Sequence, residues 1–285
     1  MGTFYRPTTL NEALALLSEC GEKAAVVNGG TDIVIDISKK KIAPEAIIYV
    51  GAIEGFEVLS VGSEKVSIGG AVTYRQMLNC EEFQEYKGLV TAISGLGSPN
   101  IRNMGTPAGN ICTAAPAADC ATMLMAMGAE VVLANSEGER TVELKDMFLG
   151  RGKTQCGPKD LVKEITFSAL EEGEGTGYFR AARRKAQDIG KVLAGVRVKV
   201  KDGKIEDAKF SLGSLNANIV RAYSLEEAVK GMECGEALEY VRTNFPEEAG
   251  LRESYFKEYK LAVTTAVIAK AFERALEDAE GRRTR

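Results

Sequence analysis

The sequence predicts an α+β protein built in two parts. In the first part short strands and helices are intermixed, and in the second part strands are followed by helices. An acidic, glycine-containing turn at Glu171–Gly177 separates the two parts. With 285 residues the chain is long enough for two domains, each with its own core. We expect a first domain over residues 1–173, with subdomains of about 1–55 and 56–173, and a second domain over 177–282.

The first helix is predicted by its cap. Thr9 and Glu12 have the spacing of a capping box, and apolar residues then recur at helical spacing from Leu10 to Leu17. Gly21 is the expected C-terminal stop. Short apolar runs predict four strands, the last two forming a hairpin: Ala24–Val27, Ile47–Val50, Val58–Val61 and Val66–Ile68.

The middle of the chain returns to helices and strands after Thr73, which can cap a helix carrying Met77 and Leu78. A further helix is predicted over Ala121–Met127. Apolar and β-branched runs then predict strands at Val131–Leu133, Leu161–Phe167 and Tyr178–Ala182.

The second part begins with a hairpin and ends in a helix. Val196–Val200 and Ile205–Leu212 alternate in hydrophobicity around Asp202-Gly203, which is a typical two-residue hairpin turn. A long amphipathic helix is expected from about Ser254 to Ala279.

Composition excludes several classes of function. The chain has no histidine, so Ser-His-Asp and Cys-His nucleophile systems and His-ligated zinc are excluded. The net charge of −4 provides no basic field for nucleic acid. Six cysteines form no CxxC pair, which disfavours an iron–sulfur site on this chain and any other metal site. Without a signal segment or a long apolar run, we expect a cytoplasmic protein with reduced thiols and no membrane insertion.

The first candidate binding segment is Val26-Val27-Asn28-Gly29-Gly30-Thr31-Asp32-Ile33, a strand that runs into paired glycines. Glycine permits positive φ and has no Cβ, so successive N–H groups can point at one anion, and a diphosphate suits such a bend. A tight turn without any ligand explains the same pattern. The segment is neither GxGxxG nor a Walker loop, so it does not support a Rossmann or P-loop site.

The second candidate segment runs from Gly97 to Asp119 and combines hydroxyls, amides and glycines with one carboxylate at its end. The wider stretch Gly95–Pro116 has hardly any charge and three prolines, Pro99, Pro107 and Pro116. These prolines exclude a central strand or a helix throughout. We therefore expect an ordered, buried loop, which either binds a ligand or satisfies its own polar groups.

Both segments resemble the two FAD-binding stretches of the flavoprotein subunit of the molybdenum hydroxylases, the family of xanthine dehydrogenase and carbon monoxide dehydrogenase. The first is similar to the family's AGGTD-type loop and the second to its IRNxGTxGGNIxxASPxxD run. Ile68–Thr73 and Arg183–Ile189 match in order and spacing, and the similarity covers essentially the whole chain. The resemblance implies a two-part FAD-binding domain of the vanillyl-alcohol-oxidase type, followed by a smaller α+β domain with an antiparallel sheet and helices.

By this resemblance the cofactor is FAD, with its diphosphate held between 28–33 and 106–110 largely by backbone N–H groups. Thr113 and Asp119 would bond the flavin or its ribityl chain, and Arg180 and Arg184 would place positive charge near the flavin ring. Pro107-Ala108 departs from the family pattern, because Pro107 has no N–H to donate. The FAD-binding residues implied are Val26, Val27, Asn28, Gly29, Gly30, Thr31, Asp32, Ile33, Leu96, Gly97, Thr106, Pro107, Ala108, Gly109, Asn110, Thr113, Asp119, Leu161, Val162, Arg180 and Arg184, with Leu161 and Val162 as an apolar wall.

The resemblance also implies partners. A large molybdopterin subunit would hydroxylate the substrate, a small subunit with two [2Fe-2S] clusters would pass electrons to FAD, and NAD would accept them. No catalytic acid or base on this chain is required. Xanthine, another purine, nicotinate, an aldehyde and carbon monoxide all stay open as substrates, and general similarity slightly favours a purine. Two alternatives stay open: a stand-alone FAD-dependent oxidoreductase of the same superfamily, and a non-catalytic module that binds a phosphate ligand.

Overall fold

The computed structural model describes residues 2–184, 187–251 and 255–283. It confirms the α+β prediction, with one parallel sheet, two larger antiparallel sheets and a two-stranded ribbon. Three predicted positions lie outside the described residues: Lys185 and Ala186 of the basic motif, and Ser254 at the expected start of the last helix.

A three-stranded parallel sheet forms the start of the chain. It comprises β1 (Thr3–Tyr5), β2 (Ala24–Val27) and β3 (Ala46–Tyr49), with β3 in the middle, and it is accompanied by helices α1 (Leu10–Cys20) and α2 (Ile33–Ser38). The capping box is confirmed, because the Glu12 N–H donates to Thr9 Oγ1 at 3.3 Å and the Glu12 carboxylate accepts from the Thr9 N–H. Gly21 follows α1 with a φ of 53°, as predicted.

The second sheet is antiparallel and surrounds the largest apolar core with its helices. Its strand order is β4 (Leu59–Val61), β5 (Lys65–Gly69), β10 (Leu161–Ser168), β6 (Glu130–Asn135) and β7 (Gly138–Glu143). The ribbon consists of β8 (Phe148–Gly150) and β9 (Lys153–Thr154). The helices are α3 (Tyr74–Asn79), α4 (Lys87–Ser94), α5 (Pro99–Met104), α6 (Pro107–Thr113), α7 (Asp119–Ala126) and α8 (Leu144–Met147).

The stretch predicted as a loop at Gly95–Pro116 instead contains the two short helices α5 and α6. Pro99 and Pro107 occupy the first position of each helix, where the missing N–H would have had no intrahelical partner. Ser98 and Thr106 accept hydrogen bonds from backbone N–H groups in the first turn as N-caps. The prolines that exclude one continuous helix therefore begin two separate ones.

The last part is a four-stranded antiparallel sheet covered by helices. The strands follow chain order, β11 (Glu174–Ala181), β12 (Val192–Lys201), β13 (Lys204–Gly213) and β14 (Val220–Arg221), and the helices are α9 (Tyr223–Val229), α10 (Cys234–Thr243) and α11 (Lys257–Arg283). The predicted hairpin is confirmed, with positive φ at Asp202 (51°) and Gly203 (80°). The predicted turn Glu171–Gly177 is shorter than expected, because β11 already pairs with β12 from Glu174.

Helix α7 joins the two parts, because it is buried along its whole length between the third sheet and helices α4, α6 and α8 of the first part. The Ser211 hydroxyl on β13 donates to the Thr122 carbonyl oxygen of α7 at 2.6 Å. The residue that opens this helix, Asp119, is thereby fixed against the third sheet. None of the helices in the described ranges combines the length and the apolarity that a bilayer crossing requires.

Two glycines of β11 let α11 lie directly on the third sheet. A Cβ on Gly177 would overlap the Ala271 carbonyl oxygen, and one on Gly175 would overlap the Ala275 carbonyl oxygen. We predict that Gly177→Ala lowers the free energy of unfolding by about 3 kcal/mol, because the helix must move away from its packed position. Urea denaturation followed by circular dichroism measures the change.

The matched control is Gly235→Ala on α10, where a Cβ meets nothing within 4 Å. This substitution should raise the free energy of unfolding by about 0.5 kcal/mol, because alanine restricts the unfolded chain. Wild-type stability in Gly177→Ala would contradict the described approach of α11 to β11.

Candidate functional site

A cleft of about 650 Å³ lies where the first glycine segment faces α5 and α6. Its volume is in the range of small-molecule and cofactor sites. Most of the sequence-predicted residues line it: Val26, Asn28, Gly29, Gly30, Thr31, Asp32, Ile33, Leu96, Thr106, Gly109, Asn110, Thr113 and Asp119. The structure therefore brings two segments that are about 70 residues apart in sequence into one cavity.

The first wall of the cleft is a run of unused backbone donors. None of the N–H groups from Gly29 to Ile33 donates to an acceptor within the described part of the chain. Gly30 has a φ of 71°, which bends the backbone between β2 and α2. Consecutive N–H groups around a left-handed residue form a concave anion-binding surface.

The Asn28 side chain fixes this wall to its surroundings. Its Nδ2 donates to the Gly70 carbonyl oxygen at 2.6 Å and to Thr106 Oγ1 at 3.3 Å. Gly70 belongs to the Ile68–Thr73 segment, so this motif also contributes to the position of the bend. Asn28 therefore acts in the fold as a link between both candidate segments.

The second wall, the start of α6, offers fewer donors than the sequence suggested. The Gly109 N–H donates to Thr106 Oγ1 at 3.0 Å, and the Asn110 N–H donates to the Thr106 carbonyl oxygen at 3.0 Å. Pro107 has no N–H. Ala108 keeps an N–H that no acceptor among the described residues takes. The cap and the helix therefore use two of the four N–H groups of 106–110, and the Thr106 N–H, like that of Ala108, has no acceptor among the described residues. Binding of the diphosphate by this segment stays a prediction.

The two walls meet backbone to backbone. A Cβ on Gly29 would overlap the Met104 carbonyl oxygen, so only glycine allows this approach. Thr113 Oγ1 lies 3.3 Å from Asp32 Oδ2 and 2.9 Å from the Gly109 carbonyl oxygen, which links the walls a second time.

One end of the cleft is closed by the buried carboxylate of Asp119. Its Oδ1 accepts from the Tyr178 hydroxyl at 2.7 Å and from Arg180 Nη1 at 3.0 Å. No hydrogen bond from another described residue reaches Oδ2, so this oxygen can accept one from a ligand. Burial raises the pKa of Asp119, while the Tyr178 and Arg180 hydrogen bonds act in the opposite direction.

The two arginines do not reach the cleft. Arg180 lies behind Asp119, where its Nη2 also donates to the Gly95 carbonyl oxygen at 2.8 Å. Its charge is paired with a buried carboxylate, so little net charge remains for a ligand in the cleft. Arg184 is 68% exposed, 3.8 Å from Asp188, and its Nη2 donates to the Gln187 carbonyl oxygen. Neither arginine is among the cleft residues, and positive charge beside the flavin ring stays a prediction.

Other predicted residues also lie outside the cavity lining. Leu161 and Val162 are buried in separate apolar cores on β10, because both sides of this central strand are covered. Val27 ends β2 and pairs with Tyr49, and Gly97, with a φ of 51°, turns the chain into α5. Pro107 and Ala108 lie buried behind the helix start. The apolar wall predicted from Leu161 and Val162 is therefore core.

The cleft also contains residues that are not among the FAD-binding residues implied by the resemblance. Asp36 lines it and pairs with Lys41 at 2.6 Å, while Ile42, Ile101 and Ala117 add apolar surface. Tyr74 lines it too, immediately after the recognised Ile68–Thr73 segment. Its position next to that motif is the only signal for it in the sequence.

These groups suit a nucleotide-type cofactor. Unused N–H groups match phosphate oxygens, whereas Asp119 Oδ2 matches a hydroxyl or ring N–H. None of the lining residues in the described ranges is Lys or Arg, so an anion would be held mainly by backbone. The cavity thus offers unused peptide N–H groups to an anion, together with polar and apolar positions.

Comparison with known proteins gives the same class. Residues 1–168 match the family model for the FAD binding domain in molybdopterin dehydrogenase, and residues 177–275 match that for the CO dehydrogenase flavoprotein C-terminal domain. The chain therefore belongs to the FAD-binding subunits of the molybdenum hydroxylases. As in that family, its cofactor is FAD and it is part of an oxidoreductase.

Individual relatives share this assignment. The chain is 30% identical to the nicotinate dehydrogenase FAD-subunit of Eubacterium barkeri, over 71% of this chain and 70% of the relative. It is 28% identical to the glyceraldehyde dehydrogenase medium chain of Sulfolobus acidocaldarius, over 83% of both chains. The fold matches the solved CO dehydrogenase of Oligotropha carboxidovorans with a TM-score of 0.87 at 23% identity, over 98% of this chain and 99% of that chain.

The Asp119–Arg180 pair yields a prediction that depends on pH. Arg180→Gln should lower the free energy of unfolding by about 3 kcal/mol at pH 7, because a buried carboxylate loses its cation. Loss of Arg180 also raises the pKa of Asp119 further, and a protonated Asp119 needs no cation. The deficit should therefore shrink as the pH falls from 7 to 5, which urea denaturation at both values measures.

Arg183→Gln is the control, because the Arg183 side chain is 70% exposed and its Nη2 makes a long, 3.7 Å ion pair with Asp188 Oδ1. This substitution should lower the free energy of unfolding by less than about 0.5 kcal/mol at either pH. An Arg180→Gln deficit that is unchanged between the two pH values would show that Asp119 does not depend on this cation.

Proposed function

We propose that this cleft holds FAD, and that the chain relays electrons from [2Fe-2S] clusters of a partner subunit to NAD. The observation that carries the placement is the row of unused N–H groups from Gly29 to Ile33, facing the start of α6. A diphosphate between these walls would receive hydrogen bonds without a lysine or arginine in the lining.

We assign individual roles from the polar atoms at the cleft that have no hydrogen-bond partner among the described residues. The N–H groups of 29–33 hold the phosphates, and Asp119 Oδ2 accepts from the ribityl chain or the flavin ring. Thr113 and Asp32 lie exposed at the cleft, where they can bond sugar hydroxyls. Arg180 is a positioning residue, because it contacts Asp119 and not the cleft.

FAD can exchange electrons one at a time or transfer them as hydride, which connects one-electron iron–sulfur carriers with a two-electron acceptor. The chain's own residues bind and orient the cofactor through fixed backbone donors. They hold the Asp119 carboxylate in place through Tyr178 and Arg180. Proton transfer by a side chain of this subunit is not part of the proposal.

We propose the partner subunits from the names of the relatives. They are named as an FAD subunit and as a medium chain, which supports a complex with a molybdopterin large subunit and a small iron–sulfur subunit. The xanthine dehydrogenase/oxidase of Gallus gallus matches this chain over only 18% of its own length, so the region also occurs inside a longer polypeptide. We further propose domains at 1–173 and 177–282, and a cytoplasmic location consistent with six free cysteines.

The organic substrate is proposed to bind on the molybdenum subunit. Relatives of similar identity to this chain (24–30%) are named for nicotinate, glyceraldehyde and xanthine, so similarity of the FAD subunit does not follow the organic substrate. Two of these three substrates, nicotinate and xanthine, are nitrogen heteroaromatic compounds, which supports a xanthine- or purine-type complex.

Gly109→Val tests the placement of FAD. A Cβ on Gly109 meets only Thr106 Oγ1, at 3.1 Å, so a larger side chain must enter the cleft. We expect the purified variant to lose its flavin absorbance while its far-ultraviolet circular dichroism stays that of wild type. Gly235→Ala, in open space on α10, should retain full flavin content. Full flavin content in Gly109→Val would contradict this placement.

Electron flow is tested separately from cofactor binding. Native mass spectrometry of the untagged complex should find a molybdopterin subunit and a small iron–sulfur subunit with this chain. Anaerobic NADH should then bleach the flavin bands of that complex. A purified chain that oxidises an organic substrate alone would favour the stand-alone oxidoreductase, and a chain purified without flavin would favour the phosphate-binding module.

A further inference from the structure

The Tyr74 hydroxyl is a buried polar group without a partner. Tyr74 is 2% exposed, and its Oη is one of the few buried side-chain atoms in the described ranges that make no hydrogen bond. An unpaired buried hydroxyl is costly to a folded protein and calls for a specific explanation. The explanation here is its location, because Tyr74 lines the cleft.

The surroundings of Tyr74 hold its ring in one place. Its backbone N–H donates to the Gly105 carbonyl oxygen at 3.0 Å, in the first turn of α3, which Thr73 caps. A Cβ on Gly105 would lie 3.2 Å from the ring, so the ring packs against the backbone between α5 and α6. The hydroxyl is therefore fixed beside the helix that forms the second wall.

The neighbours of Tyr74 do not provide a good partner within the protein. The Cys120 thiol interacts with the Tyr74 hydroxyl, but sulfur is a weak hydrogen-bond acceptor, and the Asp119 and Asp32 carboxylates act on the hydroxyl through their charge alone. Burial and these negative neighbours raise the pKa of Tyr74 well above its ordinary value. The hydroxyl thus keeps its proton and is available as a donor.

We propose that the Tyr74 hydroxyl donates a hydrogen bond to an acceptor oxygen of bound FAD, on its ribityl chain or its diphosphate. This inference rests on the proposed placement of FAD in the cleft. It makes Tyr74 a cofactor-binding residue that acts through a side chain, in a site whose other phosphate donors are backbone groups. The unpaired hydroxyl then costs stability only while the cleft is empty.

The test is Tyr74→Phe, which removes the hydroxyl and keeps the ring. Flavin-free full-length protein is titrated with FAD by calorimetry, and its thermal unfolding is recorded without FAD. We expect the Kd for FAD to rise about 5- to 10-fold, the loss of one hydrogen bond. The melting temperature of the flavin-free protein should stay unchanged or rise, because an unpaired buried hydroxyl has been removed.

Tyr86→Phe is the matched control. Tyr86 is buried in the same apolar core, but its hydroxyl lies by the Leu170 N–H and it is not among the cleft residues. This variant should bind FAD with the wild-type Kd. Titrations of Tyr74→Phe with riboflavin and with ADP distinguish the two acceptor sources, because only riboflavin carries the ribityl chain and only ADP carries the diphosphate.

Two results would overturn the inference. A wild-type Kd for FAD in Tyr74→Phe would show that the hydroxyl does not contact the cofactor. A lower melting temperature of flavin-free Tyr74→Phe would show that the hydroxyl has a partner in the protein. Failure of the FAD placement itself is distinguishable, because Gly109→Val would then bind FAD as wild type does.

Discussion

The site depends on the contact between two stretches of bare backbone. Gly29 approaches the Met104 carbonyl oxygen so closely that any side chain would separate the walls. The Asn28 amide holds the same region to Gly70 and Thr106. Because this contact fixes the width of the cleft, it also determines whether donors on one wall and a ligand on the other wall can meet.

The charges of the cleft are consistent with a site built on peptide groups. Three carboxylates line it, but Asp36 is paired with Lys41, Asp119 with Arg180, and Asp32 contacts the Thr113 hydroxyl. Their negative charge is thus partly compensated outside the cavity. What faces the cavity is the positive end of several peptide dipoles, which attract an anion without the strong hydration of a lysine ammonium.

Much of this architecture could be predicted, because it depends on local chemistry. The caps at Thr9 and Thr73 and the turn at Asp202-Gly203 involve residues within three or four positions of one another. Local chemistry also predicts an anion site at the glycine bend, with a tight turn as the alternative. Most of the residues that line the cleft are predicted by the resemblance to a family whose motifs are long.

The rest depends on tertiary structure that no local pattern contains. Leu161 and Val162 are apolar residues whose side chains could face a cavity or a core, and only the structure that covers the two faces of β10 decides this. The short helices α5 and α6 depend on caps and on neighbours more than on helix propensity. Tyr74 was missed because a hydroxyl without a partner can be recognised only when all its neighbours are known.

Hydrogen–deuterium exchange of the full chain, with and without FAD, tests the backbone anion site most directly. The account predicts that FAD slows exchange of the amides from Gly29 to Ile33 at least about 10-fold, because N–H groups that have no acceptor without FAD donate to the cofactor when it is bound. Unchanged exchange in this segment while FAD is bound would contradict it.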